Sequence, residues 1–166
     1  MKMLASLIAI AVAGFSVPAY ANNNDAFVGP RIGATVGTAD VLNAKSRNNV
    51  TYAAVAGLDA PLGSLVTVGV EANAANFFGS QRDIGFYGRV GVAPTKSVLF
   101  YAKGGYSNFR NIPNRGRPFM TNGFGVGGGV EYAIRPHAYV GLEAMHNQYS
   151  GGVYKNAVSA TVGLRF

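Results

Sequence analysis

The sequence contains no cysteine and only two histidines, His137 and His146. A chain without cysteine forms no disulfide framework and no thiolate metal site, and two histidines do not supply a multi-histidine metal centre. We therefore predict no bound metal and no cofactor. Charged residues make up only 13% of the chain, against roughly 25% in typical soluble domains.

Long apolar runs are missing from most of the chain, and none after residue 21 reaches the roughly 18 residues of a membrane-spanning helix. Residues 1–3 give a short basic start, residues 4–17 are apolar apart from two serines, and Ala19-Tyr20-Ala21 is a small-x-small cleavage site. This pattern predicts a secretory signal peptide over residues 1–21 and one exported domain over residues 22–166. The alternative, a membrane anchor, is disfavoured because the apolar stretch is too short.

Acidic residues are scarce, with 7 Asp and Glu against 14 Lys and Arg, so the formal net charge is +7. Removal of the predicted signal peptide takes away Lys2 and leaves +6. A basic balance favours anionic partners. No basic stripe with interleaved aromatic residues is present, so we expect phosphorylated lipid headgroups rather than nucleic acid as the partner.

Eight segments alternate apolar and small or polar side chains with the period of two that defines a β-strand. The predicted strands cover approximately residues 26–37, 50–60, 65–74, 84–93, 98–106, 122–134, 138–146 and 157–166. Each carries one ionisable residue, on the face that also holds Gly, Ser, Thr or Asn; these are Arg31, Asp59, Glu71, Arg89, Lys103, Glu131, Glu143 and Arg165. A soluble sheet keeps charge on its wet face and apolar residues in its core. Here the charges share a face with small side chains and the other face is apolar. This predicts the inverse of a soluble sheet, with the apolar face turned outward to lipid.

The connections between these segments alternate between long polar loops and turns of about four residues, as in bacterial transmembrane barrels. Aromatic residues of the apolar face gather at the two ends of the segments: Tyr52, Phe86, Tyr106 and Phe124 at the outer ends, and Phe100, Tyr132 and Phe166 at the inner ends. Two aromatic girdles are typical of these barrels, whereas a soluble sandwich does not require them. We predict an all-β fold, a monomeric eight-stranded antiparallel transmembrane β-barrel in the outer membrane of a Gram-negative bacterium.

Four runs carry a family resemblance: VGVE at residues 68–71, GVGGGVEY at 125–132, VGLE at 140–143 and TVGLRF at 161–166. They resemble the small outer-membrane β-barrel family, which includes opacity-type surface proteins and the transmembrane domain of outer-membrane protein A. The resemblance covers nearly the whole mature chain and implies the barrel fold. Phe166 matches the terminal aromatic residue of that family, which implies recognition by the barrel-assembly machinery. Larger members carry a periplasmic peptidoglycan-binding domain, and we do not extend that anchoring role to this chain.

The eight charges of the small faces balance, with four positive and four negative. We predict that they form an ion-pair network across the lumen, with pairs between neighbouring strands, because an eight-stranded barrel is just wide enough for side chains to fill. The alternative is a narrow porin-like channel for ions or protons. The many glycines on the same face keep that alternative open because they leave space for water.

The predicted outer loops are basic; they hold Lys45, Arg47, Arg82, Arg110, Arg115, Arg117 and Lys155 against Asp40 and Asp83. Arg110, Arg115 and Arg117 share the longest loop with apolar residues. They are candidate contacts for lipopolysaccharide phosphates or for an acidic host or matrix ligand. A solvated loop without a ligand is the alternative.

An enzyme is not expected. His146 and Ser150 lie near the predicted membrane surface, but alternation along the strand places His146 on the lipid side and Glu143 on the lumen side. No base–nucleophile pair is therefore formed. Pro30 cannot donate to a β-ladder, so we predict a bulge or a water molecule near the seam of the first and last strands.

Overall fold

A computed structural model describes residues 25–42, 46–76, 81–111, 119–135 and 137–166. Its eight strands are β1 Gly29–Leu42, β2 Ser46–Leu62, β3 Val66–Ala75, β4 Gln81–Thr95, β5 Val98–Asn111, β6 Phe119–Arg135, β7 Ala138–Tyr149 and β8 Val153–Arg165. Each strand pairs antiparallel with its neighbours in the chain, and β1 pairs with β8, so the sheet closes. The predicted all-β barrel of eight strands is confirmed. The predicted signal peptide lies outside the described residues.

In the described part of the chain, no helix has the length and apolar character needed to cross a membrane. One turn of 3-10 helix, Asp25–Phe27, precedes β1.

The strands are strongly tilted. A path through registered partners runs Ile32, Ala56, Ala72, Phe86, Tyr106, Phe124, Gln148, Tyr154 and Leu42. It returns to β1 ten residues beyond its start. A stagger of that size over eight strands gives a tilt of about 40° to the barrel axis. Residues that share one level of the membrane are therefore offset along successive strands.

Side chains alternate between the lumen and the outer wall along every strand. Val70 on the outer wall is 62% exposed, whereas its neighbour Glu71 is 4% exposed. The aromatic residues predicted for the two girdles point outward; Phe86, Tyr106 and Phe124 are registered partners on β4, β5 and β6 and form the outer belt together with Tyr52. An apolar outer wall between two aromatic belts is the surface that a bilayer requires.

The strands are longer at the outer end than the sequence predicted. β1 continues to Leu42, β4 begins at Gln81, β5 continues to Asn111 and β8 begins at Val153. Beyond the lipid the outward face is polar, while apolar side chains such as Val41 and Phe109 are buried on the lumen face. The alternation seen in the membrane segment therefore no longer marks the strand, although the hydrogen-bonded ladder continues. The loops are correspondingly shorter than predicted, and several charged residues assigned to them lie on strands.

Pro30 is accommodated without a bulge, which corrects the first of the two alternatives predicted for it. It is the second residue of β1, and the register with β8 runs without a break from Arg31 opposite Arg165 to Leu42 opposite Tyr154. Pro30 precedes the first of these pairs and lies near the start of the strand, a position where a residue without an N–H is tolerated. Its carbonyl still accepts a hydrogen bond of 2.9 Å from the backbone N–H of Phe166.

Candidate functional site: the lumen network and the outer wall

The eight strand charges meet in the lumen. We call this set the lumen network; it consists of Arg31, Asp59, Glu71, Arg89, Lys103, Glu131, Glu143 and Arg165. Seven of these residues are at most 5% exposed, and the side chain of Glu143 is 13% exposed. They form one continuous chain in which the sign alternates at every step, from Glu143 through Lys103, Glu71, Arg31, Asp59, Arg165 and Glu131 to Arg89.

The first half of the chain centres on Glu71. Arg31 donates through Nη2 to Glu71 Oε2 at 2.6 Å and through Nε to Asp59 Oδ2 at 2.9 Å. Lys103 Nζ contacts the other oxygen of Glu71 and lies 2.7 Å from Glu143 Oε2. Each cation therefore touches two carboxylates, and both oxygens of Glu71 are engaged.

The second half runs through Arg165. Its Nη1 lies 2.8 Å from Asp59 Oδ2, and its Nη2 lies 2.9 Å from Glu131 Oε2. Arg89 Nη1 donates to the remaining Glu131 oxygen at 2.7 Å, while its Nε lies 3.8 Å from Asp59 Oδ1. Forked guanidinium groups that bridge carboxylates in this way give the strong, charge-assisted class of hydrogen bond.

Most of these pairs span strands that are not neighbours, which corrects the prediction of pairs between adjacent strands. Glycines explain how side chains on strands two apart come into contact. Gly57 on β2 is registered with Arg31 on β1 and with Glu71 on β3, and the guanidinium of Arg31 fills the space that a side chain at Gly57 would occupy. Gly69 stands in the same way between Asp59 and Arg89. The intervening glycine allows charges two strands apart to meet above the backbone.

Aromatic side chains fill the space around the cations. The guanidinium carbon of Arg89 lies 3.8 Å from the ring centroid of Tyr101, and Tyr101 Oη donates to Glu143 at 2.7 Å. Lys103 Nζ lies 5.0 Å from the ring centroid of Tyr87. Cation–π contacts of this kind stabilise a desolvated charge further.

The inner end of the lumen is closed by Phe27, which the sequence analysis did not single out. Its side chain is fully buried and packs with Ala93 and Leu99. Its carbonyl accepts a hydrogen bond of 2.6 Å from Arg165 Nη1, so the segment before β1 is tied to the last strand.

A second buried cluster lies toward the outer mouth. Lys155 Nζ lies 2.8 Å from Asp83 Oδ2, and Tyr149 Oη donates to the same oxygen at 2.8 Å. Ser107 Oγ donates to Tyr149 Oη at 3.2 Å. The assignment of Asp83 and Lys155 to solvent-facing loops was wrong, because both lie on the extended outer ends of strands and point into the lumen.

The outer wall above the aromatic belt carries positive charge. Arg82 on β4 and Arg110 on β5 are registered partners on the outward face, four residues beyond Phe86 and Tyr106 respectively. Between the arginines and the belt, Asn108 Nδ2 donates to Asn122 Oδ1 at 2.6 Å. Arg110, predicted as a loop residue, therefore lies on a strand.

The other basic residues of the outer end are only partly described. Arg47 lies at the start of β2. Lys45, Arg115 and Arg117 fall outside the described residues, so their candidate role stays a prediction.

Glu143 and His146 lie on opposite sides of the barrel wall. Glu143 joins the lumen network, whereas His146 is exposed on the outside, where its Nδ1 lies 2.6 Å from Asn156 Oδ1. The geometry does not join these two residues into a base–acid pair.

The family model described as outer membrane protein beta-barrel domain matches residues 7–166. A comparison with curated proteins finds no match to the sequence.

Among solved structures, Neisserial surface protein A is similar, with 16% identity and a TM-score of 0.58 over 83% of this chain and 97% of that protein. The attachment invasion locus protein Ail of Yersinia pestis has 12% identity and a TM-score of 0.58 over 84% of this chain and 99% of its own. Ail has also been solved in complex with the heparin analogue sucrose octasulfate. The outer membrane enzyme PagL has 14% identity and a TM-score of 0.53 over 82% of this chain and 99% of its own. At these identities the likeness shows a shared fold.

Proposed function

Because this chain belongs to the outer membrane protein beta-barrel domain family, we propose that it is a surface protein of the Gram-negative outer membrane whose basic extracellular end binds anionic ligands. The ligand class is lipopolysaccharide, or an acidic host or matrix molecule, as for an adhesin or surface antigen. The barrel itself serves as the scaffold that holds this end at the cell surface.

The observation that carries the proposal is the registered pair of Arg82 and Arg110. Two guanidinium groups on one face of neighbouring strands concentrate positive charge just beyond the outer aromatic belt. Phosphate and sulfate oxygens accept paired hydrogen bonds from such groups. Arg115 and Arg117 follow Arg110 in the chain, between β5 and β6, and are proposed to bind the same ligand.

The comparisons support an anionic ligand without identifying it. Ail, which shares the fold, has been solved with a sulfated heparin analogue. Sulfate groups and lipid phosphates present the same oxygen chemistry to arginine, so either class is compatible with the outer wall of this barrel.

A narrow porin-like channel is the second candidate. The alternating chain of the lumen network argues against it, because its charges are paired with each other rather than available to a passing ion. Phe27 at the inner end and the Asp83–Lys155 cluster toward the outer mouth add further packing. Breaking a buried ion pair costs about 3–5 kcal/mol, so opening a path through the network requires a large input of free energy.

Two further expectations belong to the same proposal. Phe166 is exposed on the inner end of the outer wall, where the barrel-assembly machinery would reach it. The barrel is proposed to act as a monomer, because closure of β1 on β8 leaves no open sheet edge for a second copy.

The binding proposal is tested with the refolded barrel in vesicles and two probes, lipopolysaccharide and a sulfated polysaccharide. Replacing Arg110, Arg115 and Arg117 with Gln should weaken binding of at least one probe, and adding Arg82→Gln should weaken it further. Lys96→Gln, an exposed change at the opposite end of the barrel, is the matched control and should leave binding unchanged. Binding that is unaffected by all four arginine replacements would refute the proposal.

A further inference from the structure

The outer wall of β4 and β5 changes character step by step from the outer end toward the membrane centre. Each step is one pair of registered, outward-facing residues, and the four pairs are Arg82 with Arg110, Ile84 with Asn108, Phe86 with Tyr106, and Gly88 with Gly104. Positive charge is therefore followed by an amide, then by the aromatic belt, and then by residues without side chains. On β6 the same order continues from Asn122 through Phe124 to Val126.

The glycine pair opens a depression in the wall just inside the aromatic belt. Its volume is about 390 Å³, and it is lined by Gly88, Arg89, Val90, Ala102, Lys103 and Gly104. Arg89 and Lys103 turn their side chains to the lumen network, so the surface that faces the bilayer is apolar. A Cβ built on Gly88 meets nothing beyond its chain neighbours closer than 3.8 Å, so the space beside it is open to lipid.

Raised apolar side chains border the depression. Val70 on β3 is registered with Gly88 and points outward. Phe86, two positions further out, is 68% exposed. The ring of Phe124 reaches to 3.7 Å from the place of a Cβ on Gly104. An extended acyl chain that lies between these side chains gains dispersion contacts on both sides.

The depression and the arginine pair lie within the length of one lipid molecule. Gly88 follows Arg82 by six residues, which at about 3.3 Å per residue and a tilt of about 40° is about 15 Å along the membrane normal. A lipid whose phosphate lies at the arginines therefore has an acyl chain at the depth of the glycines.

We propose that this face of β4, β5 and β6 binds the lipid A part of lipopolysaccharide, with a phosphate at Arg82 and Arg110 and an acyl chain in the depression at Gly88. Lipid A is a phosphorylated disaccharide that carries acyl chains, so its groups follow in the order of the residues on the wall. A guanidinium has five N–H donors, so it binds a phosphate beside its contacts within the protein. The inference rests on the proposed function and narrows the ligand from anionic molecules in general to the lipid of the outer leaflet.

Native mass spectrometry of the barrel released from nanodiscs tests the inference. The nanodiscs contain phosphatidylcholine with a minor fraction of lipid A, and we expect one retained lipid A per barrel. Replacing Arg82 and Arg110 with Gln should lower this retention about five- to thirty-fold, as the loss of two exposed ion pairs gives. Lipid A without its phosphates but with the same acyl chains should be retained equally poorly by the wild-type barrel.

Gly88→Leu separates the acyl chain from the phosphate. The new side chain has room at its Cβ and fills the depression, so lipid A retention should fall about two- to five-fold through lost dispersion contacts. Binding of a soluble sulfated polysaccharide, which has no acyl chain, should be unchanged in this variant. Ala160→Leu, an exposed outward-facing change on β8 in the opposite wall, is the matched control and should retain lipid A as the wild type does.

Lipid A retention that survives the two arginine replacements would overturn the inference, as would equal retention by Gly88→Leu and Ala160→Leu. If replacement of all four outer arginines still weakens polysaccharide binding in that case, the proposed function stands without the inference. If it leaves the binding of both probes unchanged, both fail. Gel mobility of unboiled samples confirms that each variant has folded before it is measured.

Discussion

Replacing Glu71 with Gln is the most informative perturbation of the lumen network. The change keeps the size of the side chain and removes one negative charge that contacts both Arg31 and Lys103. Each cation retains a second carboxylate, so neither is left wholly without a counter-charge. Because removing one partner of a buried pair costs about 3–5 kcal/mol, we expect a loss near the lower end, about 3 kcal/mol of the free energy of unfolding.

A urea titration of the barrel in phospholipid vesicles measures this loss, with gel mobility of unboiled samples as the readout. A loss of about 3 kcal/mol lowers the folding equilibrium constant by about 100-fold. Glu143→Gln is the internal comparison, because its carboxylate touches one cation and is more exposed. It should cost about 1–2 kcal/mol, since a neutral amide still accepts from Tyr101.

The charge balance gives a second check on the same reasoning. Adding Lys103→Met to Glu71→Gln removes the cation that the first change left short of negative charge. The double variant should therefore be more stable than the sum of the two single losses predicts, by about 0.5–3 kcal/mol. Additive losses, or equal losses for Glu71→Gln and Glu143→Gln, would show that the contacts are not coupled as a network.

Three further changes follow from the packing of the lumen and use the same urea titration. Phe27→Ala removes the buried plug at the inner end and should cost about 3–5 kcal/mol; a loss below about 1 kcal/mol would show that the plug is not packed in the membrane. Gly57→Leu places a side chain where the guanidinium of Arg31 lies and should destabilise the barrel by at least about 1–3 kcal/mol, and an unchanged midpoint would contradict this geometry. Asp83→Asn should cost about 1–3 kcal/mol because Lys155 and Tyr149 both contact its Oδ2; a neutral result would place this cluster in solvent.

The barrel and the identity of the lumen charges were predictable because lipid imposes a strict rule. Between the aromatic belts every outward position must be apolar, so the period of two is unbroken and Arg31 or Glu71 stands out on the opposite face. Outside the lipid that rule no longer applies. The outer ends of β4 and β8 were therefore missed, and with them the buried contact between Asp83 and Lys155.

The partners within the lumen network were not predictable from the segments alone. Pairing depends on the stagger of the barrel, because residues at the same depth in the membrane are offset along successive strands. It also depends on glycines, which leave room for a side chain to reach over the intervening strand. The available signal was that Gly57 stands two positions before Asp59 and Gly69 two positions before Glu71 on the small faces of their strands. Phe27 gave no comparable signal, because it stands at the very start of the predicted segment 26–37, where the structure forms a 3-10 turn instead of a strand and buries its side chain.

The central claim is that the strand charges form a locked scaffold and that binding takes place on the outer wall and the outer end. Planar-bilayer recording of the wild-type barrel tests this claim most directly. We predict no stable conductance steps, because each charge in the lumen is paired with another. Reproducible steps from the folded wild-type protein that disappear in Glu71→Ala would contradict the claim and establish the lumen as a channel.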